Sequence, residues 1–326
     1  MKPGGKVAQW KTMENPHVKP KRQGRIHFTT PHKTYPMSLI QHGWEVLERL
    51  DQLDFLTSLM VAKMYFWMEP NTKNQPRQLS TACNAANEMC LRRLKDLGLV
   101  EVVPIAEYPT PQKLIRHELN LLTRHGVELL KHHKRDDFHP NWTSGLRTSA
   151  PLTYDHALKL NNVLANLIGS FRQAGGETVL VLNDKQLKRQ IMDGQTHLKD
   201  IQPDALLVVK FGSLLKTYLI EVDAGTEVVR GAAFSSFDRK IAKYGDYFRH
   251  RFVNDPLFSG LQRPQVLVIT TGAKRAQHLK EATLKSGGRK AYWFTAFAFI
   301  EPPDYTALDS VWFVPTMDGY QSLSFD

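Results

Sequence analysis

Three carboxylates lie close together in this sequence, at the ends of two runs that have the pattern of β-strands. Asp204 precedes the first run, and Glu221 and Asp223 end the second. Residues two apart on a strand share a face, so Glu221 and Asp223 are predicted to point the same way. Like charges crowded together need a positive partner, and oxygen ligands suit Mg²⁺ or Mn²⁺. These three residues are therefore candidate metal and catalytic residues; the alternative is that they are solvated acids at strand ends.

The predicted pairing of the two runs brings these acids together. Gly212-Ser213 separates two apolar, β-rich segments and suits a two-residue hairpin turn. Counting back along both strands from that turn places Asp204 opposite Glu221. The sequence thus predicts a carboxylate cluster at one end of a buried hairpin.

Composition indicates a globular protein with a basic N-terminal segment. The chain has 326 residues, enough for two domains, with 42% hydrophobic residues and a net charge of +11. Much of the positive excess lies before residue 37, where Glu14 is the only acid. Residues 1–40 are predicted to form a disordered basic arm that binds a polyanion, with Lys21, Arg22 and Arg25 as candidate DNA contacts. The alternative is a solubilising tail.

Other features indicate a cytoplasmic, nucleoid-associated protein without a membrane partner. Cys83 and Cys90 lie seven apart on a predicted helix and lack neighbours at zinc-ligand spacing. The basic N-terminus has no apolar segment typical of a signal peptide. The apolar stretch 55–68 is too short to span a bilayer and contains Lys63, so a buried helix is predicted there.

The region 41–132 has the pattern of a winged helix, in which helices precede a two-stranded ribbon. The predicted helices are 44–66, 78–97 and 123–131, and the strands are 99–105 and 113–119. For such a domain DNA binding is the expected role, and protein contacts are the alternative. The candidate phosphate contacts are the basic residues of the second helix and the ribbon, namely Arg92, Arg93, Lys95, Lys113 and Arg116.

A polar, turn-rich stretch, 133–151, is predicted to link this domain to a second one at 152–326. The second domain has a core order of α-β-β-β-α-β. An acid opens its second strand, and Glu221-Val222-Asp223 closes its third. The sequence therefore predicts an α/β (α+β) protein.

This core order resembles the PD-(D/E)xK nuclease superfamily, which has a restriction-endonuclease-like fold. Pro203-Asp204 matches the first half of its motif, and Glu221-Val222-Asp223 matches the second, except that Asp223 stands where the motif has lysine. The resemblance implies that Lys240, at the start of the next helix, supplies the missing ammonium. It also implies a bound Mg²⁺ or Mn²⁺.

A closer resemblance is to the replication-relaxation family of mobile-element proteins, over about residues 45–270. It rests on Pro203-Asp204, the phrase EVDAGTE from Glu221, and the phrase KIAKYGDY from Lys240. The resemblance implies a relaxase-like, metal-dependent nicking endonuclease of a plasmid, phage or integrative element, acting at an origin-like site. The implied partners are double-stranded DNA, nicked or single-stranded at the site, and the element's replication, transfer or transposition proteins.

Two questions stay open from the residues. Lys240, Tyr244 and Tyr247 share one helix face. A tyrosine there could attack DNA covalently, but packing of both rings against the sheet is favoured, with water as the nucleophile. The chain could also be a non-catalytic DNA-binding protein that regulates replication or transcription, or an accessory subunit that recruits other proteins.

Overall fold

The structure is a computed structural model. It describes residues 37, 40–67, 78–106, 116–134, 151–225, 237–302, 304 and 306–323. The chain forms two compact units, 1–148 and 149–326, and the division falls inside the predicted linker. Four of the candidate DNA contacts, Lys21, Arg22, Arg25 and Lys113, lie outside the described residues.

The N-terminal unit consists of helices followed by a two-stranded ribbon. Its helices are α1 (Gly43–Leu53), α2 (Ser58–Val61), α3 (Leu79–Ala86), α4 (Arg92–Asp96) and α5 (Arg124–Lys134), and its strands are β1 (Val100–Ala106) and β2 (Arg116–Leu122). The strands pair antiparallel, and Leu56 forms a bridge with Asn120. The predicted helix 44–66 is broken between Leu53 and Ser58, because Leu56 is extended and bridges β2. The other elements follow the predicted order, and the interpretation as a winged helix stays a prediction.

The second long helix of this unit is not a uniform α-helix. A π-helical turn, Asn87–Leu91, joins α3 to α4, and another, Ala62–Phe66, extends α2. Small or apolar residues at helical spacing face inward from this segment, among them Ala82, Ala86 and Leu94. The polar residues between them are left toward solvent.

The C-terminal unit has a mixed α/β architecture, as predicted. Its helices are α6 (Pro151–Gln173), α7 (Asp184–Met192), α8 (Phe237–His250) and α9 (Ala273–Lys285), and its strands are β3 (Glu177–Asn183), β4 (Ala205–Phe211), β5 (Leu214–Asp223), β6 (Gln265–Thr270), β7 (Tyr292–Ala296), β8 (Trp312–Phe313) and β9 (Tyr320–Gln321). The predicted core order α-β-β-β-α-β is present. Helix α7, between the first two strands, was not predicted.

One sheet of seven strands, ordered β3 to β9 along the chain, forms the centre of this unit. Strands β3, β4 and β5 are antiparallel, whereas β5, β6 and β7 are parallel. The predicted hairpin register is confirmed, since Phe211 lies opposite Leu214 and Ala205 opposite Ile220. Gly212 has a φ of 58°, a value that the hairpin turn requires and glycine adopts without strain.

The topology brings the ends of several strands together at one edge of the sheet. The start of β4 and the carboxyl ends of β5 and β6 meet there. Helix α8 packs beside this edge through an apolar face that includes Phe237, Ile241 and Phe248. No helix in the described part of the chain is both long enough and apolar enough to cross a membrane.

Candidate active site

Asp204 and Glu221 are held side by side where β4 begins and β5 ends. Asp204 Oδ2 accepts a hydrogen bond of 2.7 Å from the backbone N–H of Val222, which fixes the aspartate against β5. Glu221 is only 3% exposed. The charge of Asp204 is close enough to help raise the pKa of Glu221, so the structure brings these two predicted residues together.

Helix α8 supplies two partners to Glu221. Lys240 Nζ lies 2.5 Å from Oε2, and the hydroxyl of Tyr244 donates a hydrogen bond of 2.6 Å to Oε1. Burial raises the pKa of Glu221 to about 7, although the charge of Lys240 acts in the opposite direction. Lys240 therefore contacts Glu221, and the role that the family resemblance implies for it stays a prediction.

Asp223 has a different environment from the other two acids. Arg275, on α9, donates to both of its oxygens, at 2.5 Å from Nε and 2.9 Å from Nη2, and Thr270 Oγ1 donates at 2.5 Å. Burial would raise the pKa of Asp223, but these hydrogen bonds and that of Gly225 N–H outweigh burial and lower it. Asp223 is thus a neutralised carboxylate rather than an available ligand.

The predicted convergence of three carboxylates on one ion is accordingly not present. Among the described residues, no three His, Cys, Asp or Glu side chains are arranged to hold a metal ion. Asp204 and Glu221 still fit a hard cation, because Mg²⁺ is commonly bound through one or two carboxylates with water and substrate phosphate completing its shell. Asp223 does not fit such a role, because Arg275 holds it.

His156, on α6, also belongs to this cluster. Its Nε2 lies 3.1 Å from Asp204 Oδ1. The hydrogen bond to Asp204 raises the pKa of His156, and burial opposes that rise. His156 therefore orients the aspartate from the side of α6.

The two candidate tyrosine nucleophiles are both buried. Tyr244 is 1% exposed, and burial together with Glu221 holds its pKa well above the ordinary value. Tyr247 is directed away from the cluster, and its hydroxyl donates to Asp255 at 2.8 Å. Tyr247 therefore does not lie at the site with the carboxylates. Both rings pack in the core, which is the arrangement that the sequence analysis favoured over a tyrosine nucleophile.

The described DNA-contact candidates lie in the N-terminal unit. Arg92 is exposed on α4 and forms a 2.8 Å ion pair with Glu88 one turn earlier. Lys95 is also exposed, Arg93 is half-buried, and Arg116 opens β2. These positions leave Arg92 and Lys95 accessible to a ligand.

Arg275 and Thr270 are the site residues that sequence reasoning missed. Thr270 lies opposite Asp223 in the parallel pairing of β5 with β6, and Arg275 follows two residues into α9. The carboxyl ends of parallel strands meet at one sheet edge. Polar residues at and after the end of β6 were therefore the sequence signal that could have identified these two residues.

Comparisons with known proteins identify a family. No curated protein matches the chain. Restriction endonuclease FokI is a similar solved structure, with 11% identity and a TM-score of 0.26 over 87% of this chain and 72% of that chain, a score too low to establish a common fold. The model of the replication-relaxation family matches residues 47–257, which include Asp204, Glu221 and Lys240. This protein therefore belongs to the replication-relaxation family.

Proposed function

We propose that this protein processes DNA in replication, as a divalent-cation-dependent endonuclease that nicks one strand at an origin-like site. One observation carries the proposal. Lys240 Nζ lies 2.5 Å from the buried carboxylate of Glu221, next to Asp204 on the neighbouring strand. Two acids and an ammonium at a sheet edge are the set that phosphodiester cleavage by a nuclease of the PD-(D/E)xK type needs.

Asp204 and Glu221 would hold Mg²⁺ or Mn²⁺ in this proposal. Such an ion, when bound, neutralises charge on the phosphate and lowers the pKa of water. Hydrogen bonds to Val222 N–H and His156 fix Asp204, and the Tyr244 hydroxyl fixes Glu221. The site residues are therefore held in place before substrate arrives, which favours catalysis by preorganisation.

Lys240 would place its positive charge beside the reacting phosphate. The Lys240 side chain is about a quarter exposed, so a ligand can reach it from solvent while it contacts Glu221. A fixed positive charge beside a phosphate stabilises the additional negative charge of the transition state. Water is the nucleophile in this proposal, because both tyrosines are buried.

The N-terminal unit would bind duplex DNA as a winged helix, with α3 and α4 as the helix that enters the groove. Exposed Arg92 and Lys95 are placed for phosphate contacts. The family description, replication-relaxation, supports a role at the origin of a plasmid, phage or integrative element. Its partners there would be the element's replication, transfer or transposition proteins.

A second candidate function is favoured by Asp223. This residue stands where the nuclease motif has lysine, and Arg275 holds both of its oxygens. The Asp223–Arg275 ion pair is a structural contact that does not require catalysis. In this second candidate function the protein is a non-catalytic DNA-binding regulator, or an accessory subunit.

A nicking assay distinguishes the two candidate functions. It measures the conversion of supercoiled plasmid that carries the cognate origin to open circles. Lys240→Met should lower the nicking rate on the order of a hundredfold, as loss of one preorganised charge commonly does. Lys243→Met removes the same group from an exposed position of the same helix and should keep the rate. Equal nicking rates for the two variants would remove Lys240 from the nicking site, and no nicking by wild type with either ion would favour the non-catalytic function.

A further inference from the structure

A polar pocket lies in the C-terminal unit, away from the carboxylate cluster. Its volume is about 430 Å³, and it lies between the end of α7, the turn 198–200 and the end of α8. Lys240 and His250 are ten residues apart on α8, which separates the pocket from the cluster by about 15 Å along the helix axis. The lining side chains are Ile191, Thr196, His197, Lys199, His250, Arg251 and Asn254.

A buried carboxylate keeps the walls of this pocket in place. Asp255 is 2% exposed, and its Oδ2 accepts hydrogen bonds of 2.8 Å from Thr196 Oγ1, from His197 N–H and from the Tyr247 hydroxyl. These bonds join the segment after α7 to the segment after α8. The pocket is therefore preformed, which reduces the conformational entropy lost when a ligand binds.

The polar residues that line the pocket carry no carboxylate of their own, and Asp200 and Asp246 lie beside its basic residues, with Asp246 Oδ1 3.8 Å from His250 Nε2. Lys199 is exposed and forms no ion pair with a described residue. Arg251 is oriented by ion pairs with Asp200 and, at 3.9 Å from Nη2, with Asp246; its guanidinium has five N–H donors, so some remain for a ligand. Asn254 adds an amide. Such a lining recognises an oxyanion such as a phosphodiester.

Apolar side chains border the same pocket. Met192 and Val253 are 85% and 83% exposed, the highest values among the large hydrophobic residues that the structure describes. They directly follow Ile191 and precede Asn254, both of which line the pocket. A cationic pocket next to exposed apolar side chains suits a flexible nucleic-acid strand, whose backbone and bases need the two environments side by side.

We propose that this pocket binds the phosphodiester backbone of a single-stranded DNA segment, with a base resting on Met192 and Val253. The concave shape and small volume admit one nucleotide-sized group, which favours a flexible strand over a rigid duplex. Binding here is separate from nicking and does not require an active carboxylate cluster.

Fluorescence anisotropy of a labelled 16-nucleotide single strand, in EDTA and over a series of salt concentrations, tests the proposal. Lys199→Gln should weaken binding and lower the slope of log affinity against log salt by about 0.7, the value for one contact to a single strand. Lys285→Gln removes the same charge from the exposed end of α9 and should retain the wild-type slope.

Two further arms test the ligand. Met192→Ser with Val253→Ser should weaken single-strand binding more than Leu284→Ser, an exposed apolar residue of α9. A duplex of the same sequence should bind Lys199→Gln and Lys285→Gln equally.

Equal single-strand affinity of Lys199→Gln and Lys285→Gln would overturn the proposal, as would a loss confined to the duplex. The proposal would also be overturned if an acidic peptide bound wild type while Lys199→Gln left the affinity for single-stranded DNA unchanged. That result would assign the pocket to a protein partner. Nicking by Lys240→Met is measured separately, so failure of the pocket and failure of the nicking site are distinguishable.

Discussion

At the scale of residues, the two acids on neighbouring strands differ from the third. Asp204 and Glu221 lie together with Lys240, whereas Asp223 is engaged by Arg275. Sequence order alone could group all three, because Glu221 and Asp223 share a strand face. It could not show which basic side chain contacts each acid, because Lys240 and Arg275 come from different helices.

This difference predicts a metal-binding result. Mn²⁺ should raise the thermal unfolding temperature of wild type, because an ion that binds only the folded state stabilises it by mass action. Glu221→Gln should abolish that rise, and Asp223→Asn should retain it. Differential scanning fluorimetry measures both. An equal Mn²⁺ shift in wild type and Glu221→Gln would remove Glu221 from the ion site.

The raised pKa of Glu221 predicts how stability depends on pH. Its pKa rises from an ordinary 4.5 to about 7 on folding, so between these values the folded protein keeps a proton that the unfolded chain has lost. The free energy of unfolding contributed by Glu221 therefore falls as pH rises through that range.

Urea unfolding at pH 5 and pH 8 measures this dependence. The loss of stability between the two should be smaller in Glu221→Gln than in wild type. Glu281→Gln, at an exposed position of α9, serves as the control and should behave as wild type. An equal or steeper loss in Glu221→Gln would mean that the folded state does not raise this pKa.

At the scale of elements, the hairpin and helix α8 were predictable and α7 was missed. The Gly212-Ser213 pair determines the β4–β5 register locally, so the sequence carries it. Helix α7 also had a local signal that was overlooked. Asn183 accepts a hydrogen bond from Gln186 N–H, and the Gln186 side chain accepts one from Asn183 N–H, which together form a capping box.

The packing of α8 predicts the effect of removing a phenol hydroxyl. Tyr247→Phe should lower the free energy of unfolding by about 1.5–3 kcal/mol, because the buried Asp255 carboxylate loses a hydrogen bond. Tyr320→Phe, at a position 46% exposed, should change stability little. Urea denaturation compares them. Loss of nicking in Tyr247→Phe at full stability would instead assign that hydroxyl a direct role.

At the scale of the whole molecule, net charge and domain order predict DNA binding that depends on salt. The chain carries a net charge of +11, and residues 1–36 hold much of that excess. Deletion of residues 1–36 should weaken duplex binding and flatten the slope of log affinity against log salt, because phosphate contacts release counterions. An unchanged slope in the truncated protein would show that this segment makes no such contacts.

The central claim is that Asp204, Glu221 and Lys240 form a nicking site. Single-turnover nicking of supercoiled cognate plasmid, by wild type and Glu221→Gln in Mg²⁺, Mn²⁺ and EDTA, tests it most directly. We expect open circles from wild type with either ion, none in EDTA, and a rate lower on the order of a hundredfold or more in Glu221→Gln. Nicking by Glu221→Gln at the wild-type rate, or nicking by wild type in EDTA, would contradict the claim.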